Sequence, residues 1–234
     1  MENFITHIES MIGEKLTHPE HIFIALTHRS FINESEEGVG TDNERLEFLG
    51  DSVLGLVVSS ELMRRYPEEK EGVLSKYRSS LVNERVLGKV ALSMDINQYL
   101  FLGKGEEKNA GRKKTSIMAN AFEALIGAIY LSNGFACAQK FVLFNMESWI
   151  DQVQKYVDVL DYKSKLQEYT LKEFKCTPRY ILVNQKGPDH FKLFETQVII
   201  KDELMGKGQG RSKKDSEQSA AHQALLKIQE RESV

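Results

Sequence analysis

A chain of 234 residues is long enough to bury a sizeable core in one or two domains. Its 41% hydrophobic and 28% charged content is that of a soluble globular protein, and no apolar run in it reads as the ~18-residue stretch of a membrane helix. The net charge of −3 hides an asymmetry, with net −6 over residues 1–160 and net +3 over residues 161–234, so the two parts suggest different partners.

The opening MENFITHIES has neither a basic n-region nor an apolar h-region, which argues for the cytoplasm and against export or a membrane. From Phe4 to Tyr156 apolar residues recur at helical spacing with few prolines, predicting a series of helices. Turn formers and charge break that series at 33–42, at 66–72 and at 103–114. Cys137 and Cys176 stand far apart with no C-x-x-C motif, so both are expected as free thiols.

Within the first part, Asn43 to Ser52 reads NERLEFLGDS. On a helix turning about 100° per residue, Glu44, Glu47 and Asp51 fall within roughly 60° of one another and form one stripe. Charges on a helix ordinarily face solvent. Here Phe48, Leu54 and Val58 flank or share the sector, which is not how a solvated face is bordered. Further on, Ile117 to Leu131 reads IMANAFEALIGAIYL, with Glu123 as its only charge and Asn120 one turn earlier on the same side. A helix apolar almost all round is buried, and a buried carboxylate neutralises, pairs with a cation or binds a metal. Arg112, Lys113 and Lys114 are one source of pairing. The other reading brings the two helices together, so that oxygen donors without histidine or thiolate make a site for Mg2+, with Mn2+ as a substitute.

After Asp158 the pattern changes. Residues 162–174 suit an amphipathic helix with Leu166, Tyr169, Thr170 and Leu171 on one face. RYILVN (179–184) and FKLFETQVII (191–200) read as strands, the first closed by the turn formers Lys186-Gly187-Pro188-Asp189, and a short third strand is expected at 203–206. Ser212 suits the N-cap of a last helix whose apolar positions are Ala220, Ala221, Ala224, Leu225 and Ile228. The fold expected is therefore an all-α domain followed by a small α+β domain of order α-β-β-β-α.

These segments resemble a known family. NERLEFLGDSVL (43–54) is similar to the signature of ribonuclease III, the double-stranded-RNA endonuclease, and AFEALIGAIYL (121–131) resembles its second acidic motif. ALTHRSF (25–31) and EGVLSKYRSSLV (71–82) also look like that family. The C-terminal segment resembles the double-stranded RNA-binding domain, with GRSKKDSEQSAA (210–221) as the basic start of its last helix. The resemblance implies an endonuclease domain over 1–155 and an RNA-binding domain over 161–230. It also implies a homodimer in which Phe48 inserts into the second subunit, and Mg2+ held by Glu47, Asp51 and Glu123 with position 120 as the fourth ligand. By the same correspondence Asp51, Glu123, Glu47 and Glu44 are catalytic, and Glu71 is a second acidic residue near the cleavage site. Gln167, Glu168 and His190 correspond to minor-groove contacts, and Lys213 and Lys214 meet phosphates across the major groove, so that shape rather than base sequence is read. The reaction implied is hydrolysis in both strands of an RNA duplex, leaving 5′-phosphates and short 3′ overhangs, in the processing of ribosomal and messenger precursors. Position 120 departs from the pattern, because the family most often carries aspartate there and this chain carries Asn120. The amide oxygen remains a ligand but one negative charge is lost. A duplex-RNA-binding dimer that cuts weakly or not at all is therefore the alternative, and a structural domain with Glu123 tied to a basic neighbour is another.

Overall fold

The long acidic-motif helices dominate the first of two units, Met1–Gln154 and Lys155–Val234, seen in a computed structural model that describes residues 1–34, 40–154, 162–186 and 192–232. In chain order the first unit holds α1 (Glu2–Ile12), α2 (Glu20–Ala25), α3 (Arg29–Asn33), α4 (Glu44–Arg65), α5 (Glu71–Leu81), α6 (Glu84–Ser93), α7 (Ile96–Tyr99), α8 (Lys104–Lys108) and α9 (Thr115–Asp151). The all-α expectation holds for this unit. Residues 35–39, inside the first expected break, lie outside the described residues. The break at 66–72 is real, since Tyr66 caps α4 and α5 begins at Glu71.

The break at 103–114 is not a plain loop. It folds into α8 and a 3-10 turn, Gly111–Lys113. Gly103 offers no side chain to cap α8, and the cap comes from afar: the Glu34 carboxylate accepts from the amides of Lys104 (2.6 Å) and Gly105 (3.0 Å). A partner about seventy residues distant leaves no local trace.

Helix α9 is the axis of the unit. Phe122, Leu125, Ile126 and Ile129 are fully buried, and so are Leu54, Val57, Val58 and Leu62 on α4. Hydrophobic burial on this scale is what holds helices that lack strong local caps. The helix is long and apolar enough to cross a membrane, which the reading of the sequence did not foresee. Most of its apolar residues are instead packed inside this unit, from Ile117 to Ile150, with Leu131 and Phe144 left exposed. A break at Gly134, where φ is 79°, divides it into two helical segments.

Where α4 and α9 cross, the backbones touch. A Cβ on Gly50 would overlap the carbonyl oxygen of Glu123, and one on Gly127 would overlap that of Leu46. Only glycine permits this approach. Gly50 lies between Glu47 and Asp51 in sequence, and Gly127 lies one turn beyond Glu123, so the same crossing brings the two acidic motifs together.

In the second unit, α10 (Tyr162–Phe174) precedes β1 (Arg179–Lys186), β2 (Leu193–Ile200), β3 (Glu203–Gly210) and α11 (Lys213–Glu232). The order is α-β-β-β-α as expected. The sheet is antiparallel, β1-β2-β3, and β3 is twice the predicted length. The extension over 207–210 was hidden because Gly208 and Gly210 carry no β propensity. Gly187, Pro188 and Asp189 of the expected turn lie outside the described residues, as does Phe191. One face of the sheet supplies Val198, Ile200 and Met205 to a core with Leu166, Ala220, Ala221, Ala224 and Ile228. Leu171 is a correction: at 43% exposure it does not share the buried face with Leu166 and Thr170. Five residues along a helix is about 140° around it, too far from Leu166 for one face.

Candidate active site and nucleic-acid interface

The start of α4 is anchored by Asn43. Its amide donates to the Thr27 carbonyl (2.9 Å) and its side chain donates to the Ala25 carbonyl (3.2 Å). That ties the acidic stripe to the turn ahead of α3. An open cleft of about 370 Å³ results, lined by Glu44, Glu47 and Asn120 together with His28, Arg29 and Ser116.

Asn120 hydrogen-bonds to the Glu47 carboxylate. A carboxylate only accepts, so the Asn120 amide nitrogen is the donor. Glu47 is nevertheless held above the usual carboxylate range, by burial first and then by the charges of Glu44 and Asp51. Glu123 is pushed up to about 7, again by burial first and then by Asp51 and Glu47. The carboxylates are thus close enough to repel one another.

Arg29 pairs with Glu44, but among the described residues no ion pair reaches Glu47, Asp51 or Glu123. Arg112 pairs with Glu107 and donates to the carbonyls of Asn97 and Leu100, and Lys114 pairs with Glu106. Two of the three neighbouring bases are therefore committed elsewhere, which removes the main support for a merely salt-bridged Glu123.

The donor set fits a hard divalent cation, since every candidate ligand presents oxygen and the site carries unrelieved negative charge. Among the described residues, no three His, Cys, Asp or Glu side chains are gathered tightly enough to clasp an ion by themselves. Mutual repulsion accounts for carboxylates that converge without touching. Magnesium needs little more, because it keeps several waters and takes one or two carboxylates beside substrate phosphates.

The other expected residues are placed as follows. Glu71 opens α5, accepts from the Ser75 hydroxyl (2.8 Å) and does not line the cleft. Phe48 is 79% exposed on α4. Gln167 and Glu168 are exposed on α10, and Lys213 and Lys214 are exposed in the first turn of α11. His190 lies outside the described residues. Ser212 caps α11 as expected, accepting from the Asp215 amide (3.0 Å). Lys163 pairs with Glu217 (2.5 Å), and the Tyr162 and His222 rings stack at 4.1 Å, which fixes α10 beside α11. Cys137 and Cys176 are both free thiols.

The reading of the sequence gave no role to His28, Arg29 or Ser116. The signal lay in ALTHRSF, where a histidine and an arginine precede a short helix, but their nearness to Glu44 is a tertiary fact.

Both units match known proteins. A ribonuclease-III-like family model matches residues 19–148, and a double-stranded RNA binding motif matches residues 162–228. The chain is 42% identical over 224 residues to Ribonuclease 3 of Leptospira interrogans, covering 96% of this chain and 90% of that protein. It is 43% identical over 222 residues to Ribonuclease 3 of Protochlamydia amoebophila, covering 95% and 91%. A crystal structure of the nuclease domain of ribonuclease III from Campylobacter jejuni is similar at 39% identity and a TM-score of 0.56, covering 63% of this chain and 96% of that one.

Proposed function

Because the chain belongs to the ribonuclease III family of double-stranded-RNA endonucleases, we propose that the cleft between α4 and α9 hydrolyses a phosphodiester in each strand of an RNA duplex with Mg2+. The observation that carries this reading is the convergence of Glu47, Asp51 and Glu123 with no protein cation to neutralise them among the described residues. Glu47, Asp51, Glu123 and the Asn120 amide oxygen would hold the metal, with Mn2+ as a substitute. When bound there, the ion supplies an activated water and stabilises charge on the phosphate and the leaving 3′-oxygen.

The residues of the chain do the rest. Glu44, at the mouth of the cleft, orders water near the scissile bond. Asn120 holds Glu47 through its amide, where an aspartate would add repulsion and metal affinity together. No covalent intermediate is involved, and the products carry 5′-phosphates and short 3′ overhangs. Precursors of ribosomal and messenger RNA are the natural substrates, in the cytoplasm.

The active form is a homodimer. Phe48, Leu56 and Met63 are 79%, 56% and 65% exposed at helical spacing along α4, an apolar stripe that water disfavours and a second copy covers. A related C. jejuni nuclease-domain structure is described in terms of flexibility in a region involved in dimer formation. The second unit grips the duplex through Gln167, Glu168, His190, Lys213 and Lys214.

Cleavage of a long RNA duplex across a magnesium titration, run beside Asn120→Asp, tests the reading. Wild-type cleavage that needs severalfold more magnesium than the aspartate variant is expected. Binding without product at any magnesium concentration, with product from Asn120→Asp, replaces the endonuclease with a duplex-binding dimer.

A further inference from the structure

We propose that His28 and Arg29 are substrate-binding residues of the nuclease cleft, gripping an RNA backbone phosphate beside the bond that is cut. The inference rests on the endonuclease reading and adds to it the donors that an otherwise acidic cleft needs.

The sequence around His28 fixes its chemistry. Its Nδ1 accepts from the Ser30 amide at 3.2 Å and meets the Ser30 hydroxyl at 2.8 Å. That hydroxyl oxygen itself accepts from the Gly103 amide at 2.9 Å, so its proton is free to go to Nδ1. Burial holds the imidazole below its usual range, and the neutral ring with Nδ1 as acceptor must carry its proton on Nε2. Nε2–H therefore becomes a fixed donor, with no protein acceptor for it among the described residues. The backbone is fixed too, since the His28 amide donates to the Phe101 carbonyl at 3.0 Å.

Arg29 supplies the charge. Its guanidinium donates to Glu44 at 3.3 Å, with the two side chains 66% and 57% exposed. An exposed pair of that kind is weak and easily exchanged. A phosphate offers a guanidinium two strong, charge-assisted bonds in its place. Without such donors, a phosphodiester entering beside Glu44 and Glu47 meets like charge. Ser116, in a first turn of α9 with no side-chain cap, lines the same cleft and adds a hydroxyl.

The bland account of His28 is that it only caps α3. His28→Asn separates the two roles, because the Asn oxygen keeps the cap on the Ser30 amide while the reach of Nε2–H is lost. The full chain is assayed on a long RNA duplex for KM, kcat and the salt dependence of kcat/KM, and the same duplex is bound in EDTA. Arg29→Gln is expected to raise KM ~10-fold and to lower the log–log salt slope by about 1, with Arg29→Lys retaining the slope. His28→Asn is expected to raise KM ~5-fold with no change in slope, as a neutral donor releases no counterion. Wild-type KM in both variants, with wild-type slopes, overturns this inference and leaves the endonuclease intact. If the wild type binds the duplex but never cuts it, the catalytic reading falls, and binding in EDTA decides: weaker binding by His28→Asn and a lower slope for Arg29→Gln keep the two residues on the phosphate, and wild-type affinity and slope in both variants overturn the inference. If it neither binds nor cuts, both fall.

Discussion

Gly50 lies against the backbone carbonyl of Glu123, and this contact sets how near the two acidic motifs come. Gly50→Ala leaves helix propensity slightly improved, yet its methyl group has nowhere to go except into that carbonyl. The helices must separate at their closest point, at a cost of about 3 kcal/mol by comparison with overpacked cores. Urea unfolding followed by Trp149, the single tryptophan of the chain, reports on the nuclease unit alone. An unchanged midpoint would show that the crossing is looser than described.

Unrelieved charge at Glu123 predicts a link between metal and stability. Magnesium at a hundred times its dissociation constant stabilises the native state by about 3 kcal/mol, raising the unfolding temperature in Mg2+ relative to EDTA. Glu123→Gln keeps the side chain's size and removes its charge, so that variant is expected to lose most of the magnesium-induced shift. It is also expected to melt no lower than wild type in EDTA, where its repulsion with Asp51 and Glu47 is gone. A full magnesium shift in the variant would remove Glu123 from the ligand set.

Glu61 gives the nuclease unit its acid sensitivity. The side chain is 7% exposed, and Arg64 first and then Arg65 hold its carboxyl down at about 2, against an ordinary 4.5. A depressed carboxylate stabilises the fold above its ordinary pKa, and that contribution is lost as pH falls from 4.5 through about 2. Arg64 is largely exposed, so Glu61→Gln costs ~2 kcal/mol at pH 7 rather than the full amount implied by the shift. The difference between variant and wild type, read from Trp149 in urea, should shrink toward zero below about pH 3. A difference constant from pH 7 to pH 2.5 would assign the loss to packing instead.

The parts of the molecule legible from sequence are those with a local cause. Periodicity placed α4, α9 and α10, and Ser212 marked its own cap because the acceptor and the Asp215 amide are three residues apart. The acidic stripe was visible for the same reason, since 100° per residue is a local rule. What could not be read depends on partners distant in the chain. Glu34 capping α8 and Arg112 held by Asn97 and Leu100 carbonyls are of this kind, as is the meeting of His28 with Glu44. The meeting of Glu47 with Glu123 was guessed from chemistry, but the glycine-to-carbonyl contact that produces it was not.

The second unit should contribute affinity without contributing chemistry. Lys213 and Lys214 stand exposed in the first turn of a capped helix, and residues 161–234 carry net +3, so charge and oriented amides favour phosphate at one end of α11. Each lysine that neutralises a phosphate releases about one counterion. Replacing both with alanine leaves the Ser212 cap in place and should lower the log–log salt slope of duplex binding by about 2, with the largest loss of affinity at low salt. At saturating RNA, kcat should stay within about twofold of wild type, since uniform binding energy affects KM and not the chemical step. A lost kcat with an unchanged slope would place these lysines in the reaction itself, whereas a slope change confined to KM places them on the phosphate backbone of the duplex.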